Sequence, residues 1–231
     1  MSVLSSWLRG VPGIAAALLA ASVGCAGARP ARPLDPGSYD DPPAMEVLPE
    51  LDVPLDSLGE RFRFAWRLAA EALQLKAPPA PVRPSGAELR AWSDGPLKQW
   101  LAEKSRRVEA ARKELDELAE HGRRLRIVAG AVVGLLYEDV ARALVRIPAP
   151  RELDEEPEIA EAYREVILFQ ARPYLTHARR AYRACALNAV PMDSMRHWGR
   201  FCARRGRALP RSEPERSVPS GQTEVTVEAD F

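Results

Sequence analysis

An all-α fold, built of antiparallel helical hairpins in a bundle of about five helices, follows from three features of the sequence. Residues 127–137 (IVAGAVVGLLY) carry no charge and run on into Glu138-Asp139-Val140-Ala141-Arg142. In the flanking segments apolar residues recur three and four positions apart, which is the spacing of helix faces and not of strands. The 21 prolines gather mainly over residues 30–54, 78–84 and 210–219, where missing amide donors interrupt regular structure. The boundaries that result are a leader over 1–24, a proline-rich tether over 25–55, a helical domain over 56–207 and a disordered tail over 208–231.

Composition narrows the function classes. An apolar content of 46% over 231 residues supports a real core and excludes disorder throughout. The 33 basic and 32 acidic residues leave a formal charge of +1, so no global field recruits nucleic acid.

The N-terminus is the strongest local signal. Arg9 precedes an apolar stretch of small residues over 11–23, a segment too short to span a bilayer. It resembles a bacterial secretory leader. Ser22-Val23-Gly24-Cys25 resembles the lipobox of bacterial lipoproteins, with Ser22 where that family prefers Leu. The resemblance implies a mature chain that begins at Cys25, acylated on sulfur and anchored in a membrane. Ala26 after the cysteine, where Asp would favour the inner membrane, implies the periplasmic face of the outer membrane. Ala26-Gly27-Ala28 also fits an ordinary signal-peptidase site, which would give a soluble periplasmic or secreted protein.

In the domain itself, Ser57-Leu58-Gly59-Glu60 reads as a capping box opening a helix with Phe62, Trp66, Ala69 and Leu73 on its buried stripe. Prolines 78, 79 and 81 end it. A second capping box, Ser85-Gly86-Ala87-Glu88, starts a short turn to Trp92, and Asp94 with Pro96 is expected to start the next helix, over 97–120. There Leu101, Val108, Ala111, Leu115 and Leu118 are apolar and Lys104 interrupts them; the stripe suits the chain's own next helix better than a coiled-coil partner. His121-Gly122 marks a tight turn. The central helix, over 123–147, is apolar nearly all round and must be buried on more than one side, with Gly130 and Gly134 admitting a neighbour closely. Pro148 and Pro150 stop it. Asp154 is expected to cap a long helix whose stripe runs Ile159, Tyr163, Ile167, Ala171, Tyr174, Ala178, Tyr182, Cys185 and Ala189, kinked at Pro173. A last helix over 193–207 presents Met195, Trp198, Phe201 and Cys202, and the arginines at 200, 204, 205, 207, 211 and 216 form a basic patch.

Leu136-Tyr137-Glu138-Asp139, Ile147-Pro148-Ala149-Pro150, Ala162-Tyr163-Arg164, Ala171-Arg172-Pro173-Tyr174-Leu175 and Ala181-Tyr182 together resemble the C-terminal helical region of tetratricopeptide-repeat lipoproteins of Gram-negative envelopes. The resemblance covers about residues 123–203 and implies a TPR-like, periplasmic, protein-binding hairpin. No repeat period of about 34 residues recurs in the chain.

Candidate chemistry is sparse. Cys185 and Cys202 are an even pair in an exported chain, suited to a disulfide or to two buried thiols. Zinc held by these cysteines with His177 and His197 fits no compact ligand spacing, so no metal or cofactor is expected. None of the common nucleophile, zinc-protease or phosphate-loop motifs occurs, and no catalytic residue is assigned. Tyr163, Tyr174 and Tyr182 are the candidate lining of a protein-binding groove, with core packing as the alternative. The expected function is an outer-membrane-anchored adaptor that binds another envelope protein. The alternatives are a permanently docked structural subunit and, behind it, a glycan-binding or glycan-cleaving protein.

Overall fold

The computed structural model describes residues 43–51 and 53–210. The leader, Cys25, most of the tether, Arg211, Arg216 and the rest of the tail beyond residue 210 lie outside the described residues. Within them the chain is all-helical: α1 (Glu60–Gln74), the short α2 (Gly86–Trp92), α3 (Lys98–Ala119), α4 (Arg123–Val145), α5 (Pro157–Ala189) and α6 (Arg196–Ala208). No strand occurs among the described residues.

The central helix is α4. It packs most extensively on α5, then on α3, and also touches α1 and α6. Burial of Ile127, Val128, Val132, Leu135, Leu136 and Val140 on different sides of it explains why its sequence shows no polar face. α4 and α5 run antiparallel. Tyr137 stacks on His177 at 4.8 Å, while a Cβ on Gly134 would overlap the Tyr182 ring and one on Gly130 would lie 3.1 Å from Cys185 Cβ. The two glycines therefore let α5 approach, as their spacing predicts.

Element starts both follow and depart from expectation. Ser85 closes a full capping box: its hydroxyl accepts from the Glu88 amide and the Glu88 carboxylate accepts from the Ser85 amide at 2.7 Å. Ser57 does not cap α1. Its hydroxyl donates to the Pro54 carbonyl at 2.7 Å within a 3-10 turn, and α1 starts after Gly59, whose φ of 86° suits glycine. Asp94 caps nothing, because α2 continues into α3 through a π turn over Ser93–Leu97 that absorbs Pro96. Gly122, at φ 148°, serves as the N-cap of α4, making the α3–α4 turn depend on a residue without a Cβ. Asp154 is also corrected: it lies in the turn before α5, 2.5 Å from Arg83, and Glu156 is the N-cap with Pro157 in the first turn. Beyond it α5 runs unbroken across Pro173. Asp193 sits in a 3-10 turn, Asp193–Met195, that precedes α6, and pairs with Arg196.

Two boundaries move. Met45, Val47, Leu48 and Leu51 pack against the core, so the body begins about ten residues before the expected end of the tether. Leu209 is buried beyond α6, so residues 208–210 belong to the domain and not to a disordered tail.

Candidate interaction site

Charge inside the bundle is used to join helices. Glu138, on buried α4, accepts hydrogen bonds from Arg142 at 3.0 Å and Arg205 at 2.9 Å on Oε1, and from the Tyr182 hydroxyl at 2.6 Å and Arg205 Nε at 3.1 Å on Oε2. A carboxylate so deep is tolerated only when its lone pairs are filled. Burial, reinforced by the Glu138 charge, holds the Tyr182 hydroxyl well above the ordinary tyrosine range. Burial disfavours the Arg205 charge, but Glu138 and Tyr182 together outweigh it and raise the guanidinium pKa. The group is a lock across α4, α5 and α6.

This placement corrects two sequence expectations. Tyr182, only 1% exposed, cannot line a partner groove. Tyr163 is half-buried and donates to the Pro148 carbonyl at 3.1 Å, with burial pushing its hydroxyl up to about 12. Tyr174 is half-buried against the core. The tyrosines thus seat α5 on its neighbours. Arg205 likewise leaves the basic patch for the interior, while Arg200, Arg204 and Arg207 remain exposed on α6.

A second lock closes α1. Lys104, the residue that interrupts the α3 stripe, is 0% exposed. Its ammonium donates to the carbonyls of Ala72 and Leu75, the latter at 3.2 Å, and pairs with Asp139 on α4 at 2.5 Å. Trp100 Nε1 also donates to Leu75 O, at 3.2 Å. The last carbonyls of a helix lack intrahelical donors and carry the negative end of its dipole, which a buried cation satisfies. Burial lowers the Lys104 pKa against the pull of Asp139, and burial raises that of Asp139 against the pull of Lys104. A lysine at an apolar heptad position is the sequence signal for such a lock.

Cys185 and Cys202 form a disulfide joining α5 to α6, with Cα atoms 6.1 Å apart and both residues fully buried. Bonded to each other, they offer no thiolate to zinc. On α3, Glu103 accepts from both Arg106 and Arg107, which holds its carboxyl down at about 2.

The exposed site lies where the chain enters the body. The segment over 45–51 is strapped onto α6 through one carbonyl: Glu50 O accepts from Trp198 Nε1 at 3.1 Å and from His197 Nε2 at 3.1 Å, which requires the ring proton on Nε2. Between this strap and α1 an open hollow of about 420 Å³ is lined by Met45, Leu48, Pro49, Glu50, Leu51 and Trp66. Its walls are apolar apart from Glu50, and Trp66 is half-buried with its ring 5.6 Å from that of Phe62. The hollow can take an apolar side chain from outside and gives it no acid, base or nucleophile beyond one carboxylate. Reading the strap as tether hid it.

Comparison with family models, with characterised proteins and with solved structures finds no match to this chain. The fold and these sites define a disulfide-tied helical bundle, in which no helix of the described residues is long and apolar enough to cross a membrane.

Proposed function

We propose that the chain is a lipid-anchored adaptor on the periplasmic face of the outer membrane, held through Cys25, and that it binds another envelope protein without performing catalysis. The observation that carries the proposal is the buried Cys185–Cys202 disulfide. Such bonds persist in oxidising compartments, which supports the export read from the leader. The lipobox-like Ser22-Val23-Gly24-Cys25 and the resemblance of residues 123–203 to envelope lipoproteins support the anchor and the protein-binding role. The hollow beside Trp66 offers a surface for a partner's apolar side chain.

The test is fractionation followed by cross-linked capture. Cys25→Ser should move the protein from the membrane fraction to the soluble one; unchanged retention would sink the anchor. Capture from solubilised envelope should yield one stoichiometric partner that Trp66→Ala loses, and glycan fragments in its place would favour wall binding. A second reading, a permanently docked subunit, draws on the apolar side chains exposed along α5. It requires that no free population be recovered.

A further inference from the structure

α5 has a second face. Its inner stripe, with Ala160, Ile167, Ala171, Leu175, Ala178 and Tyr182, is buried in the bundle. On the outer side Ile159, Val166, Phe169 and Leu187 are 44%, 44%, 55% and 61% exposed. Pro173, Arg180 and Ala184 continue the same line and are also exposed. Successive members lie three, four or seven residues apart, so they share one side of a helix about 50 Å long.

The charges beside that stripe change sign at its middle. Residues 154–165 hold Asp154, Glu155, Glu156, Glu158, Glu161 and Glu165 against one arginine, Arg164. Residues 166–190 hold Arg172, Arg179, Arg180 and Arg183 and no acid. Compensation of the helix dipole accounts for Glu158 in the first turn, but that effect fades within one turn of each end. Glu161, Glu165, Arg172 and Arg180 lie further in. Glu165, Arg180 and Arg183 make no ion pair among the described residues, so their charges are available to another molecule.

We infer that this face pairs with the same face of a second copy, the two α5 helices running antiparallel about a twofold axis at Pro173. Pro173 is the midpoint of Pro157–Ala189, with sixteen residues on either side. The twofold sets Ile159 against the partner's Leu187 and lays Val166 along the aliphatic stem of the partner's Arg180. It also brings Glu161 and Glu165 to the partner's Arg180 and Arg183. An isologous contact needs a surface complementary to itself, and a helix acidic in one half and basic in the other meets that need only when antiparallel. A parallel pair would set acid on acid.

Charge reversal tests the arrangement. The full chain, purified in mild detergent and weighed by sedimentation with bound detergent subtracted, should have the mass of two chains. Glu161→Arg with Glu165→Arg should halve that mass, and so should Arg180→Glu with Arg183→Glu, each variant keeping its helical circular dichroism. Mixing the two variants should restore the two-chain species, because each α5 is then of one sign and complements the other. A wild-type chain of single mass, a mass unmoved by either reversal, or a mixture that stays single would each overturn the proposal. Hydrogen exchange that shows the chain's own residues 211–231 covering α5 in a single chain would do the same.

Discussion

Replacing Lys104 by Met keeps the length and volume of the side chain and removes its charge. In the folded protein this leaves Asp139, whose side chain is 17% exposed, without the ammonium 2.5 Å away. Removing one member of a buried pair typically costs ~3–5 kcal/mol. The partial exposure of Asp139 places this case near ~3 kcal/mol. A further ~1–2 kcal/mol comes from the Ala72 carbonyl, which loses its lysine donor, whereas Leu75 keeps Trp100. The loss must depend on pH. Burial already raises the Asp139 pKa above its ordinary 3.8, and without Lys104 it rises further. A carboxyl with a raised folded pKa is no liability below its unfolded value and a full one above its folded value. The deficit should therefore be largest at neutral pH, shrink as pH falls, and vanish only below 3.8, where Asp139 becomes protonated in the unfolded state as well. Urea unfolding followed by circular dichroism at pH 7 and pH 4 measures both quantities. Lys104→Met with Asp139→Leu should recover most of the loss except the carbonyl part. A deficit under about 1 kcal/mol, or one that does not change with pH, would refute the lock.

Gly134→Ala sets two effects against each other. Helix propensity alone favours alanine by ~1 kcal/mol, yet the added Cβ overlaps the Tyr182 ring, and overpacking of this kind costs ~1–3 kcal/mol. Net destabilisation in thermal unfolding is expected, and stabilisation would mean that α4 and α5 are further apart. Cys185→Ala with Cys202→Ala removes a cross-link between residues 17 apart, worth ~3 kcal/mol on the chain-entropy account. A thiol reagent should label neither cysteine in the unfolded protein until a reductant is added.

The order of elements was legible because long periodic segments and proline breaks are local. The two capping boxes show where local reading ends. Ser57 and Ser85 head the same Ser-x-x-Glu pattern, but only Ser85 has a backbone that lets the glutamate return. Gly59, at φ 86°, breaks the path between Ser57 and Glu60, and the Ser57 amide and hydroxyl both donate to Pro54 O. At Ser85 the start of the helix is held from outside as well: Glu152 accepts from the Gly86 amide at 3.1 Å, and the Arg151 amide donates to Pro84 O at 2.8 Å. A cap motif specifies a possible bond, and tertiary contacts decide whether the backbone adopts the geometry to make it.

The interaction surface was less legible for a related reason. Residues 43–51 lack helical period and contain prolines, which is the composition of a tether. Besides the packing of Met45, Val47, Leu48 and Leu51, what docks them is one backbone acceptor, Glu50 O, reached by two ring nitrogens 147 and 148 positions away. Any residue other than Glu at position 50 would present the same carbonyl, so that bond leaves no mark in the sequence; the apolar Met45, Val47, Leu48 and Leu51, which pack against the core, are the part of the strap that the sequence shows. Trp198 gave half the signal. A fully buried indole must find an acceptor for its N–H, and inside a helical body nearly all carbonyls are already taken by the helices. The acceptor must therefore come from a helix end or from a non-helical segment; Trp100 takes the first, at Leu75 O, and Trp198 the second, at Glu50 O. The same reasoning runs from Lys104: a buried cation must meet carbonyls that their own helix leaves free, which are those at a helix end.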